Sequence, residues 1–204
     1  MPAEERRIQL LDAALRIAVD DGFAAVTMDR VARAAGVTRP VVYGLFADRG
    51  ALLAALLDRE TQRARKALGP ALPPVPADGE QVNPDRLLVE GIHAYLSAVA
   101  ASPDTWRLVL FPVEGAPPEL QAAVAASRNE ALEQISKLII WGIAARRGEL
   151  PELAGAALDV ELFAHVLVGL AEGAARMVLD RPELWSIERF TTFTGQMLDA
   201  LALR

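Results

Sequence analysis

Apolar residues recur three and four positions apart from one end of this 204-residue chain to the other, and no stretch alternates for long with the two-residue period of a strand. That spacing lines one stripe of a helix, so the chain is expected to be all-α. Ile8, Leu11, Leu15 and Ala18 give a first helix its apolar face, and Gly22 suits its C-terminus. Thr27 is placed to cap a second helix, buried through Val31, Ala32 and Ala35 and ended by Gly36. Thr38 is placed to cap a third, with Pro40 in the first turn, where a missing N–H is tolerated. Asp48 then opens a longer helix with Leu52, Leu53, Leu56 and Leu57 inward.

Between Ala67 and Arg86 the period fails, because Pro70, Pro73, Pro74, Pro76 and Pro84 with Gly69 and Gly79 preclude a regular helix. The expected organisation is a helix-turn-helix domain over 1–47, a connecting helix over 48–68, an exposed and flexible linker over 69–84, and a helical domain over 85–204. In that last part helices are expected near 85–101, 103–111, 118–147, 157–180 and 186–203, broken at Pro103, Pro117–Pro118 and the Pro182 region, with Ser186 as the last N-cap.

Composition removes whole classes of chemistry. Zero cysteines exclude disulfides, thiolate metal sites and cysteine nucleophiles, and two histidines leave little for metal or acid–base work. No cofactor or metal is expected, and no enzymatic activity. Apolar runs such as Leu138 to Ala145 fall short of the roughly 20 residues of a membrane span, and the N-terminus carries mixed charge rather than a signal peptide. A cytoplasmic protein without a membrane partner is therefore expected.

A net charge of −6 argues at first against nucleic acid, whose phosphates are neutralised by Lys and Arg. The charge is unevenly placed, however. Residues 1–66 carry 11 Lys+Arg against 9 Asp+Glu, a balance of +2, whereas residues 67–204 carry 10 against 18, a balance of −8.

Two short helices joined by a tight glycine turn and supported by a first helix make a helix-turn-helix, whose third helix enters the DNA major groove. In that helix Val42 and Phe46 share the inward face, leaving Thr38, Arg39, Pro40, Tyr43 and Gly44 outward. Arg39 has the planar fork that grips guanine O6/N7 or phosphate, and Tyr43 a hydroxyl for a phosphate oxygen. Thr27 and Arg49 put further donors at helix starts where phosphates would pass. The same pattern fits an ordinary three-helix core with these side chains on its surface.

A longer match separates those readings. Asp21-Gly22-Phe23, Thr27-Met28-Asp29-Arg30-Val31-Ala32, Ala35-Gly36-Val37, Tyr43-Gly44-Leu45-Phe46 and Arg49 with Leu52 follow in order and without gaps. In these motifs residues 8–57 resemble the DNA-binding domain of the tetracycline-repressor (TetR) family of bacterial transcription regulators. The resemblance implies DNA-contact roles for Thr27, Thr38, Arg39, Pro40, Tyr43, Gly44 and Arg49. It also departs from the family, which often has Lys-Gly at Arg39-Pro40, an aromatic or His at Gly44-Leu45, and Lys at Arg49.

The family plan further implies that residues 85–204 bind a small-molecule effector and form a homodimer through the last two helices, with an inverted-repeat DNA operator as partner. Gly169 and Gly173, four apart, would let another helix approach, and Phe163, Leu167, Leu170, Ala174, Phe190 and Met197 are the expected interface; an intramolecular core would use the same residues. Polar or aromatic groups on otherwise apolar helices, namely His93, Tyr95, Trp106, Phe111, Arg128, Asn129, Trp141 and His165, are the candidate effector contacts. Trp106 to Pro118 is the expected pocket wall. The expected function is a repressor released from its operator by a small molecule. One rival is a helix-turn-helix dimer without ligand control. Another is a helical-bundle metal oxidase, prompted by Glu90-x-x-His93 with Glu161 and His165.

Overall fold

A computed structural model describes residues 2–77, 79–111, 113–146 and 158–202. Among these residues there are helices and no strand. The helices are α1 (Ala3–Asp21), α2 (Met28–Ala34), α3 (Arg39–Tyr43), α4 (Arg49–Leu68), α5 (Pro84–Ala101), α6 (Pro103–Leu110), α7 (Pro118–Ala145), α8 (Val160–Asp180) and α9 (Ile187–Ala202), with 3-10 turns at Phe23–Ala25 and Gly69–Ala71. Residue 147 of the expected seventh helix, 157 of the eighth and 203 of the ninth lie outside the described residues.

The chain divides into two compact units, the first comprising Met1–Lys66 with Ser102–Ala125, the second Ala67–Ala101 with Ala126–Arg204. The first unit is centred on Leu10, Ala14, Phe23, Val26, Val31, Val42, Leu52 and Leu56, all fully or almost fully buried. Leu108 of α6 and Leu120 of α7 complete this same core. Residues 102–125, expected with the C-terminal helices, thus pack with the helix-turn-helix.

One contact shows how that packing is arranged. The α6–α7 connection lays the Glu114 carbonyl against the corner after α1, where it accepts a hydrogen bond from the Phe23 N–H at 2.9 Å. The corner is turned by Gly22 at φ 80 and ψ 165, a conformation open only to glycine. A Cβ at this position would also lie 3.1 Å from the Glu114 carbonyl oxygen. Gly22→Ala is therefore expected to cost about 2 kcal/mol, read as a lower midpoint in chemical denaturation, whereas Gly69→Ala, with no atom within 4 Å of its added Cβ, serves as the control.

In the second unit α5 packs against α8, α9 and the Gly69–Ala71 turn. The Pro-rich segment expected to be exposed and flexible is partly packed: Leu72, Pro73, Pro76 and Val82 are half-buried, and the Pro73 carbonyl accepts a hydrogen bond from Gln134 Nε2 of α7 at 2.6 Å. Proline prevents a helix here, but its rings remain apolar and find cover. Leu132, Ala164 and Val168 form a further buried cluster between α7 and α8. Asp159 caps α8 by accepting from the Leu162 N–H at 2.9 Å, and Ser186 accepts from the Arg189 N–H at 3.3 Å at the start of α9.

Candidate nucleic-acid interface

Three devices shape the region around α2 and α3. Thr27 Oγ1 accepts from the Arg30 N–H at 3.2 Å, fixing the start of α2, while Met28, Val31 and Ala32 are buried. Gly36, at φ 66, then closes the turn: its N–H donates to the Arg33 carbonyl at 3.1 Å and the Val37 N–H to the Ala32 carbonyl at 2.9 Å. Val42 and Phe46 anchor α3 from below. Asp48 Oδ1, accepting from the Ala51 N–H at 2.8 Å, starts α4.

With those anchors set, Thr38, Arg39, Pro40, Val41, Tyr43 and Gly44 are all exposed, the Tyr43 residue to 50% and the Arg39 side chain to 63%. Thr38 occupies the cap position with extended backbone, but its hydroxyl makes no cap bond, contrary to expectation. Pro40 fills the first turn, where no N–H is needed. Arg39 is not solitary: its Nε forms an ion pair with Asp29 of α2.

Arg49 differs from the expected phosphate donor. Its Nε donates to the Val26 carbonyl at 2.7 Å and its Nη2 to the Phe23 carbonyl at 2.7 Å. These bonds tie the start of α4 to the connection between α1 and α2, a structural role the sequence reading did not include. Arg7 and Gln9 were also overlooked. The Arg7 guanidinium lies 4.6 Å from the Phe46 ring centroid, and Gln9 Nε2 donates to the Ala35 carbonyl at 2.9 Å, so α1 braces both the turn and the end of α3. Their position on the first helix before an apolar stripe was the available signal.

Residues 10–56, covering this body from α1 into α4, match the family described as bacterial regulatory proteins, tetR family. A TetR-like transcriptional regulator from Rhodococcus sp. RHA1 superposes over 100% of this chain and 97% of its own with a TM-score of 0.68 at 25% identity. The match over residues 10–56 places them in the TetR family of bacterial regulatory proteins. Among curated relatives, the HTH-type transcriptional regulator EthR of Mycolicibacterium smegmatis is 30% identical over 104 residues, 51% of this chain and 46% of that protein. The match therefore spans less than half of that relative's length. The HTH-type transcriptional activator FasR of the same organism is 26% identical over 163 residues, 79% of this chain and 72% of that protein. Within the matched residues, the exposed face of α3 displays Thr38, Arg39, Pro40, Tyr43 and Gly44.

The candidate effector contacts fall in different places. Arg128 of α7 pairs with Glu172 of α8, whose charge also acts on the half-buried Tyr95 of α5. Arg128 Nε donates to Glu172 Oε1 at 2.8 Å, and Arg176 Nη2 lies 3.8 Å from Glu172 Oε2. Burial, reinforced by the charge of Glu172 and partly offset by Arg176, pushes the Tyr95 phenol above its ordinary range. Trp141 is half-buried in the same unit. His93, Asn129 and His165 are exposed, and His165 Nδ1 is 2.9 Å from the Glu161 carbonyl oxygen of its own helix. Trp106, 2% exposed, and Phe111 belong instead to the unit that holds the helix-turn-helix. Their aromatic character made them resemble pocket residues, but that property serves a core equally well.

Glu90, half of the Glu-x-x-His pair, accepts from Arg86 Nε at 2.7 Å on an exposed helix face. No group of three or more His, Asp or Glu side chains placed to hold a metal occurs among the described residues. The helix Val160–Asp180, by contrast, is long and apolar enough for a membrane span by length and composition alone. It bears exposed Leu162, Phe163, Val166 and Leu170.

Proposed function

We propose that this TetR-family regulator is a homodimeric repressor that reads an inverted-repeat operator with Arg39 and Tyr43 and is released by a small molecule bound among α5, α7 and α8. The observation that carries the reading is the division of labour within α3, where Val42 is buried and Arg39 and Tyr43 are displayed. Thr27 and Thr38 contribute hydroxyls to phosphates: the Thr27 oxygen accepts the cap bond, which leaves its own hydrogen to donate. Pro40 and Gly44 keep the face low enough for close approach to the groove.

The same geometry supports dimerisation, because one five-residue recognition helix addresses few bases and two copies address half-sites about one helical turn apart. The apolar stripe of α8 supports it. Phe163 and Leu170, expected at the interface, are exposed there with Leu162 and Val166, and a Cβ at Gly169 or Gly173 would meet nothing within 4 Å among the described residues. On α9, Phe193 is 62% and Met197 43% exposed. Leu167, Ala174 and Phe190 are half-buried and would line the edge of such a contact.

Tyr95, Arg128, Glu172 and Arg176 supply the few convergent polar groups that a mostly apolar ligand site uses. A ligand acts only through its different affinities for the DNA-competent and incompetent states. Selection from a randomised duplex pool is expected to enrich an inverted repeat. Arg39→Ala should then lower operator affinity by about 5- to 150-fold, the worth of a bidentate base contact, while Tyr43→Phe weakens operator and scrambled duplexes alike. Unchanged operator affinity across saturating fractions of a small-molecule cell extract would leave a dimer without ligand control. A reporter driven from the selected operator tells repression from the activation that FasR's name records.

A further inference from the structure

We propose that Asp29 is a positioning residue for DNA reading: it holds the Arg39 guanidinium by its Nε side and aims the remaining edge at a guanine. The inference rests on the reading of α3 as the recognition helix. Asp29 lies in the first turn of α2 and Arg39 in the first residue of α3, ten positions apart, and the Gly36 turn brings them together in an ion pair. Asp29 Oδ1 is shut off from solvent, while the Arg39 side chain is 63% exposed. The Asp29 side chain as a whole is 44% exposed, so the pair lies at the surface with only its contacting oxygen covered.

The chemistry of the fork explains why that matters. A guanidinium has five N–H donors in one plane, and the pair Nη1/Nη2 matches guanine O6 and N7. An arginine free to swing loses side-chain entropy each time it docks. A carboxylate against Nε fixes the plane beforehand and leaves the outer edge for the base. An acidic group on a surface that meets phosphates is otherwise unfavourable, since it repels the DNA backbone. A carboxylate in the first turn of a helix also favours the helix dipole, but that role has no preference for any one base pair.

The experiment uses the full chain and the duplex enriched from a randomised pool. The guanine read by Arg39 is the position at which Arg39→Ala no longer distinguishes the four bases. Asp29→Asn is expected to lower discrimination at that position by about tenfold, with affinity for scrambled duplex unchanged or raised. In the Arg39→Ala background the same substitution should do nothing further to discrimination, a coupling that a general effect on folding would not produce. Asp29→Asn that leaves the base preference intact, or that acts equally in both backgrounds, overturns the inference while leaving the operator reading in place. Failure of the unmodified protein to enrich any sequence would overturn the operator reading itself, and this inference with it.

Discussion

Glu60→Leu is expected to destabilise the first unit by about 3–5 kcal/mol, the cost of removing one partner from a buried ionic network. The Glu60 side chain is 1% exposed and accepts from Arg59 Nε at 2.6 Å, from Arg63 Nη1 at 3.3 Å and from the Thr105 hydroxyl at 2.5 Å. Arg59, only 14% exposed, also donates to Asp12 Oδ1 at 2.7 Å and to the Ile8 carbonyl at 3.3 Å. The network thus joins α1, α4 and α6 through one carboxylate. Removing it leaves Arg59, only 14% exposed, with Asp12 alone to balance its charge and the Thr105 hydroxyl without its acceptor. Chemical denaturation followed by circular dichroism gives the loss. Replacing Arg59 by Met in the same chain should recover part of it, because the half-paired charge is then gone and the exposed Asp12 is left to water. A single Glu60→Leu variant as stable as the parent would mean that the network contributes geometry rather than stability.

The second large effect concerns assembly. Leu170, 65% exposed on α8, would in a two-fold contact meet the same surface on its partner, so one substitution is felt twice. Leu170→Glu buries two carboxylates without partners, and a loss of at least about 3 kcal/mol is expected, roughly 100-fold in dimer affinity. Sedimentation equilibrium should then show monomers at concentrations where the parent is dimeric. Affinity for the selected inverted repeat should fall with it, while the affinity of each half-site is retained. A parent chain that sediments as a monomer would remove the dimer from the proposal.

Much of this was legible in the sequence because caps and turns are local. Thr27, Asp48 and Ser186 cap as their positions dictate, and Gly36 takes the positive φ its turn demands. Side-chain destinations were harder to read. Arg49 and Arg39 are both arginines at helix starts, yet one is tied to the carbonyls of Phe23 and Val26 and the other displayed. The turn between α2 and α3, rather than any spacing rule, decides that Asp29 meets Arg39. Leu108 and Leu120 are buried in the core of the first unit, and helical periodicity names no partner for either. A leucine on a helix face fits any core of suitable shape, so the packing of residues 102–125 with the N-terminal helices was not readable from pattern.

The discontinuity of the first unit has a consequence for how the protein is made. Its first 66 residues are synthesised before the two leucines that complete their core. At about 5–20 residues per second, the stretch between Lys66 and Leu120 takes roughly 3–10 s to add. During that time the nascent helices keep part of their apolar face uncovered, and their final closure is a long-range event that follows the birth of α5. A fragment ending at Lys66 would remain in that unfinished state, which makes the returning segment part of the DNA-binding body in a temporal as well as a spatial sense.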